Sequence, residues 1–230
     1  VPNLKDLKGR IESVKSTRKI TSAMKMVAAA KLRRAQEAAE SARPYASRME
    51  RILGSLASSV GGVEGTPKML SGTGKNNNYL LVAFTADRGL CGGFNSSIVR
   101  KVRVTVQQLV SEGKAVKVIF VGRKAHDVLK RELNEKILES ITGIGRKGVQ
   151  YVEAAGVSEK IIRLFEESSF DVCTIIFNRF KSAMTQIVTQ QQLIPFVADE
   201  VVSEDDGVLK AGHIFEPEED EILSELLPQN

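Results

Sequence analysis

At 230 residues, 42% hydrophobic and 27% charged, with 5% aromatic and no tryptophan, the chain has material for one good core and an appendage. No run approaches the ~18 to 20 apolar residues that a bilayer crossing requires, and two cysteines, Cys91 and Cys173, with two distant histidines, His126 and His213, are too few for a disulfide framework or a metal site. The net charge of +5 is unevenly divided: residues 1–60 carry 13 Lys and Arg against 5 Asp and Glu, residues 61–198 carry 19 against 12, and residues 199–230 carry 1 against 11.

The first element is a long helix over residues 4–60. Steps of alternately three and four residues from Leu4 pass through Leu7, Ile11, Val14, Arg18, Thr21, Lys25, Ala28 and Leu32 and on to Val60, and 14 of the 17 positions are apolar. A 3.5-residue period sustained that far is a coiled-coil seam and calls for a partner helix. At positions 18, 21 and 25 the seam turns polar while Ile20, Ala23, Met24 and Val27 move to a neighbouring face, as a change of winding or of partner requires. Seven cations and no acid lie between Glu12 and Glu37. Such a run is a solvated face or a docking surface for something acidic; nucleic acid is disfavoured because no aromatics are interleaved and no recognition motif is present. Pro44 is expected to kink the helix or split it near Arg43.

Residues 61–78 carry glycines, Thr66-Pro67 and three consecutive asparagines, and form a flexible linker by composition. Within it Gly72-Thr73-Gly74-Lys75 fails as a phosphate loop, because Met69 stands where the first glycine belongs and Asn76 where Ser or Thr would hold magnesium. From 79 onward strands and helices alternate: strand 79–85, helix 95–111 with Asn95 and Ser96 as cap candidates, strand 115–121, helix 124–133, a short strand 136–141, helix 149–168, and strands 171–177 and 185–197. The pattern predicts an α/β, Rossmann-like, mostly parallel sheet with helices on its faces, attached to the long amino-terminal helix; the last strand, with no helix before it, should pair antiparallel. The α/β domain is placed at 79–213.

Two stretches invite a nucleotide. Residues 143–148, GIGRKG, match a dinucleotide glycine pattern but follow a short strand late in the sheet. The first strand-to-helix turn, 85–95, has three glycines, an Asp87-Arg88 pair and a thiol at a helix start, but lacks the Lys and Ser/Thr of a phosphate loop and any basic partner for Cys91.

The run 20–32, ITSAMKMVAAAKL, together with 87–95, DRGLCGGFN, closely resembles the gamma subunit of rotary proton-translocating ATP synthases, of bacterial or related organellar type. The resemblance extends from Leu4 to about Leu227. It implies a rotor shaft that couples proton flow through the membrane sector to conformational cycling of the catalytic beta subunits, peripheral on the cytoplasmic face of the inner membrane (or on the matrix side if organellar). Such a subunit is non-catalytic and needs no cofactor. The partners implied are the alpha and beta subunits, epsilon and the proton-driven membrane ring, with no nucleic acid and no direct membrane insertion. By residue, the resemblance assigns Lys19, Met24, Lys25, Lys31, Arg33 and Arg34 to the beta-subunit contact, and Asp87, Arg88, His213 and Glu216 to the contact of the foot with epsilon or the ring. It also implies that the α/β domain is the globular foot of the shaft and that a second long helix, whose acidic start is placed at 214–230, completes the seam, so the sequence is expected to be part of a longer shaft. A nucleotide-binding α/β enzyme and a generic coiled-coil scaffold stay open as alternatives.

Overall fold

A computed structural model describes residues 3–60, 66–146 and 148–197 together with Leu226, and for residues 55–60 the backbone alone. Contacts divide the chain into two units, Val1–Met49 and Glu50–Asn230.

The first helix, α1 (Leu4–Val60), is continuous for 57 residues, about 85 Å at ~1.5 Å per residue. It passes through Pro44 without splitting. The ring removes only the bond that position 44 would donate to the Glu40 carbonyl, and strong helix formers on both sides (Ala35, Ala38, Ala39, Ala42, Ala46) keep the chain helical across the gap. Every described residue from 3 to 48 is exposed, including the seam positions Leu4, Leu7, Ile11, Val14 and Leu32; Met49 and Leu53 are buried.

The second unit holds a short helix α2 (Lys68–Ser71), then β1 (Asn78–Phe84), α3 (Phe94–Ser111), β2 (Ala115–Val121), α4 (Arg123–Leu129), a 3-10 turn (Asn134–Lys136), β3 (Ile137–Ile141), α5 (Tyr151–Glu166), β4 (Val172–Phe180) and β5 (Gln186–Ile194). The sheet order is β3-β2-β1-β4-β5. β1, β2, β3 and β4 run parallel, and β5 returns antiparallel to β4, as the missing helix between them requires. Alternate residues of the central strands feed opposite cores. Leu81, Ala83, Val118 and Phe120 pack with α3 and α4 through Ile98, Val102 and Leu129, while Leu80, Val82, Ile119 and Cys173 pack with α5 through Val157, Ile161 and Phe165. Both faces of β1 are buried, which is why its sequence, NYLLVAF, is a continuous apolar run without polar alternation.

Three expectations need amendment. The composition-based linker contains α2, whose Met69 carbonyl accepts a hydrogen bond from Phe196 N–H at 2.9 Å, so a tertiary bond orders it where no periodicity could announce it. The helix expected over 124–133 ends at Leu129, and Leu133 is buried beyond it in a turn. Asn95 and Ser96 lie inside α3, whose cap position is Gly93.

Candidate rotor surfaces

On α1 the residues assigned to the beta contact, Lys19, Met24, Lys25, Lys31, Arg33 and Arg34, are all exposed. They share about 22 Å of helix axis but, at ~100° per residue, encircle it and do not form a stripe. Arg33 Nε is paired with Glu37 Oε1 at 2.8 Å one turn away, which leaves Lys19, Lys25, Lys31 and Arg34 without an ion pair among the described residues. Ile20, Met24 and Val27, spaced i, i+4 and i+7, do form a stripe, and each is more than half exposed. Ile20 and Val27 therefore belong with Met24 in the candidate surface. The signal for them was the shift of apolar residues off the seam, but the charges drew the assignment.

At the carboxyl edge of the sheet the 85–95 turn is laced into the neighbouring loops. Asp87 Oδ1 accepts from Arg123 N–H at 3.1 Å, at the start of α4, and Oδ2 accepts from Gly143 N–H at 2.8 Å, in the loop after β3. Thr85 Oγ1 accepts from Ala125 N–H at 3.1 Å, and Asn95 Oδ1 accepts from Ala86 N–H at 2.9 Å. The Asn95 amide donates to the Arg88 carbonyl at 3.3 Å and lies 3.0 Å from Cys91 Sγ. Leu90, at φ 62°, is left fully in solvent.

The glycine-rich loop 143–148 is filled in the same way. Gly145 N–H donates to both oxygens of Glu153, at 3.1 and 3.2 Å, while Glu153 also takes the Gln150 N–H in a capping box at the start of α5. In these loops the amides of Arg123 and Gly143 are thus bonded to the Asp87 carboxylate and that of Gly145 to the Glu153 carboxylate. At the opposite edge the Gly72-Thr73-Gly74-Lys75 stretch meets Asp171: the Thr73 hydroxyl donates to Oδ1 at 2.9 Å, and Asn77 N–H and Asn78 N–H donate to Oδ2 at 3.0 and 2.9 Å. Burial raises the Asp171 carboxyl, but the amides of Asn78 and Asn77, the Thr73 hydroxyl and the Asn78 side chain outweigh it and hold the group below its ordinary value. Cys173, buried beside it on β4, is pushed up to about 12 by burial alone and is inert as a thiol.

Of the residues assigned to the foot contact, Asp87 points its carboxylate inward, as described, and Arg88 is exposed. His213 and Glu216 lie outside the described residues, as does all of 214–230 except Leu226.

A family model described as ATP synthase matches residues 3–230. The ATP synthase gamma chain of Paramagnetospirillum magneticum (strain ATCC 700264 / AMB-1) is 55% identical over 228 residues, covering 99% of this chain and 78% of that protein. The gamma chain of Jannaschia sp. (strain CCS1) is 52% identical over 231 residues, covering 100% and 78%, and that of Rhodospirillum rubrum is 52% identical over 233 residues, covering 99% and 78%. Among solved structures, the central stalk and c-ring of the Tetrahymena thermophila mitochondrial ATP synthase contains a chain that superposes with a TM-score of 0.63 at 26% identity, over 91% of this chain and 86% of that one.

Proposed function

This chain belongs to the ATP synthase gamma family, and from that premise we propose how its parts serve the rotor shaft that couples proton flow to the conformational cycle of the catalytic subunits. As a gamma chain it is non-catalytic and part of the central stalk. Its work is to present a different side to each catalytic subunit as it turns, so that each state of that subunit is stabilised by its own set of contacts.

The segment 19–34 of α1 makes the contact with the beta subunits. Lys25, Lys31 and Arg34 meet acidic groups there, and Ile20, Met24 and Val27 supply the apolar part. The supporting observation is that cations encircle the helix over a few turns and every one is exposed. Because these cations stand at different angles round the helix, each surrounding subunit meets a different set of them at any one position of the rod. Such pairs steer and register the subunits without requiring burial. The alpha subunits form the rest of the surrounding ring, and the α/β unit docks on epsilon and the membrane ring, with Arg88 in the contact and Asp87 shaping the turn that carries it. His213 and Glu216 complete that contact. The site of action is the cytoplasmic face of a bacterial membrane, to which the chain is bound peripherally; among the described residues no helix is long and apolar enough to cross it.

Assembly and coupling test this reading together. Co-expressed with alpha and beta subunits, the chain should co-purify with them. The variant Lys25→Glu/Lys31→Glu/Arg34→Glu should leave the α/β unit as stable as before, since exposed substitutions change stability by no more than ~0.5 kcal/mol each, while ATP synthesis in reconstituted vesicles falls severalfold. An unchanged synthesis rate would refute the assignment of these three cations.

A further inference from the structure

The described part of the connection from α1, which ends at Val60, to β1, which starts at Asn78, is residues 66–77, and it is fastened to the sheet at two places. Nearer β1, the Asp171 carboxylate just before β4 holds the Thr73 hydroxyl and the amides of Asn77 and Asn78. Nearer α1, the fastening is α2. Its Met69 carbonyl accepts from Phe196 N–H, and the Met69 side chain packs into the core that holds Ile194, the last residue of β5. Gly72 closes α2 at φ 76°, so near Pro195 that a Cβ would lie 3.3 Å from the ring Cγ. Neither side of this fastening stands by itself. α2 is one turn, in which Leu70 and Ser71 N–H bond to the Pro67 carbonyl and Gly72 N–H to that of Lys68, and a lone turn fixes more dihedrals than its bonds repay. Pro195 and Phe196 lie past the β5 ladder, whose last pair is Cys173 with Ile194; they are held by Met69 and by the Gln192 side-chain amide, which donates to the Pro195 carbonyl at 2.8 Å.

We infer that α2 and residues 192–196 form a latch that opens and closes as one cooperative unit, and that this latch is where torque from α1 first enters the sheet. The second half rests on the shaft reading above. By connectivity, whatever α1 delivers along the chain reaches α2 before it reaches β1. With the latch shut, a pull on the connection is taken up by the end of β5 at Met69 and Gly72. With it open, the same pull runs on to Asp171 through several more residues of free chain, and a longer free stretch is more compliant. The latch therefore sets the torsional stiffness of the joint.

Amide exchange resolved to single residues in the isolated full chain tests the latch, and single-molecule rotation of the assembled synthase tests its use. Gln192→Ala removes a support of Pro195 and no hydrogen bond of α2. The amides of Leu70, Ser71 and Gly72 should nonetheless exchange at least about tenfold faster in it. Gly72→Ala should speed exchange of Phe196 by a similar factor. Gly74→Ala, with the same left-handed backbone at φ 72° but open space around it, should leave Phe196 within about twofold of wild type. Exchange of α2 that ignores Gln192→Ala, or exchange of Phe196 that responds equally to both glycine variants, overturns the latch. With the catalytic ring fixed and a bead carried on the α/β unit, Gln192→Ala should widen the angular spread at each pause, and an unchanged spread beside coupled opening overturns the torque path. Failure of the wild-type chain to co-purify with alpha and beta subunits overturns the shaft reading and the torque path with it, while the exchange result still decides the latch.

Discussion

Gly122 shows how tightly single residues fix the carboxyl edge of the sheet. It sits at φ 99°, and a Cβ there would lie 1.9 Å from the Thr85 carbonyl oxygen, a collision with backbone that no rotamer can relieve. Gly122→Ala should therefore cost at least ~3 kcal/mol of unfolding free energy, whereas Gly74→Ala, at φ 72° with open space around it, should cost only about 1–2 kcal/mol through backbone strain. Chemical denaturation of both variants checks the ranking. Asp171 acts on stability through pH. Its carboxyl is held below the ordinary value of 3.8 in the folded chain, so its contribution is fully present above that value and is lost as the pH falls through the lower folded value. Asp171→Asn should destabilise the α/β unit by about 1–3 kcal/mol at pH 7, with the gap to wild type narrowing below about pH 4. Denaturation curves measured from pH 2.5 to 7 test the sign; a gap that widens on acidification would refute it. The sequence announced neither role. The glycine of Gly122-Arg123 is one of 18, and the distance from Asp171 back to Thr73 is a fact of the fold and not of spacing.

Elements were more legible than residues where a period was long or a strand was buried on both faces. Strand 115–121 falls where the apolar run places it, and the antiparallel return of β5 follows from the absence of a helix after β4. The split expected as one outcome at Pro44 does not occur: proline disfavours a helix locally, while the alanines around it favour one over several turns. The short helix α2 was invisible because four residues hold no period; a bond from Phe196 and the packing of Met69 order it instead. For α1 the physical difficulty lies in its exposure. A helix that buries nothing from residue 3 to residue 48 has little beyond propensity to hold it. In the isolated chain, limited proteolysis should cleave within residues 4–48 well before it cuts 78–194, and addition of alpha and beta subunits should slow the first cleavage. Equal resistance of both regions in a monomer would mean that the seam already has its partner.

At the level of the molecule, the family was legible because two specific runs, 20–32 and 87–95, stand in order on the two units, and relatives 50 to 55% identical over 99 to 100% of this chain and 78% of their own length bear that out. How the glycine-rich turns of the α/β sheet are filled was only half legible. The missing lysine and hydroxyl could be seen, but the pairing of Asp87 with the amides of Arg123 and Gly143, from loops 36 and 56 residues away, could not. Calorimetric titration of the full chain with Mg-ATP should give no affinity in the micromolar range, and Asp87→Asn should lower the melting temperature without creating any. One oxygen of Asp87 holds the start of α4 after β2 and the other holds the loop after β3, so a single side chain at the end of β1 clamps three strand ends together, and a load applied to any one of these loops is shared by the other two.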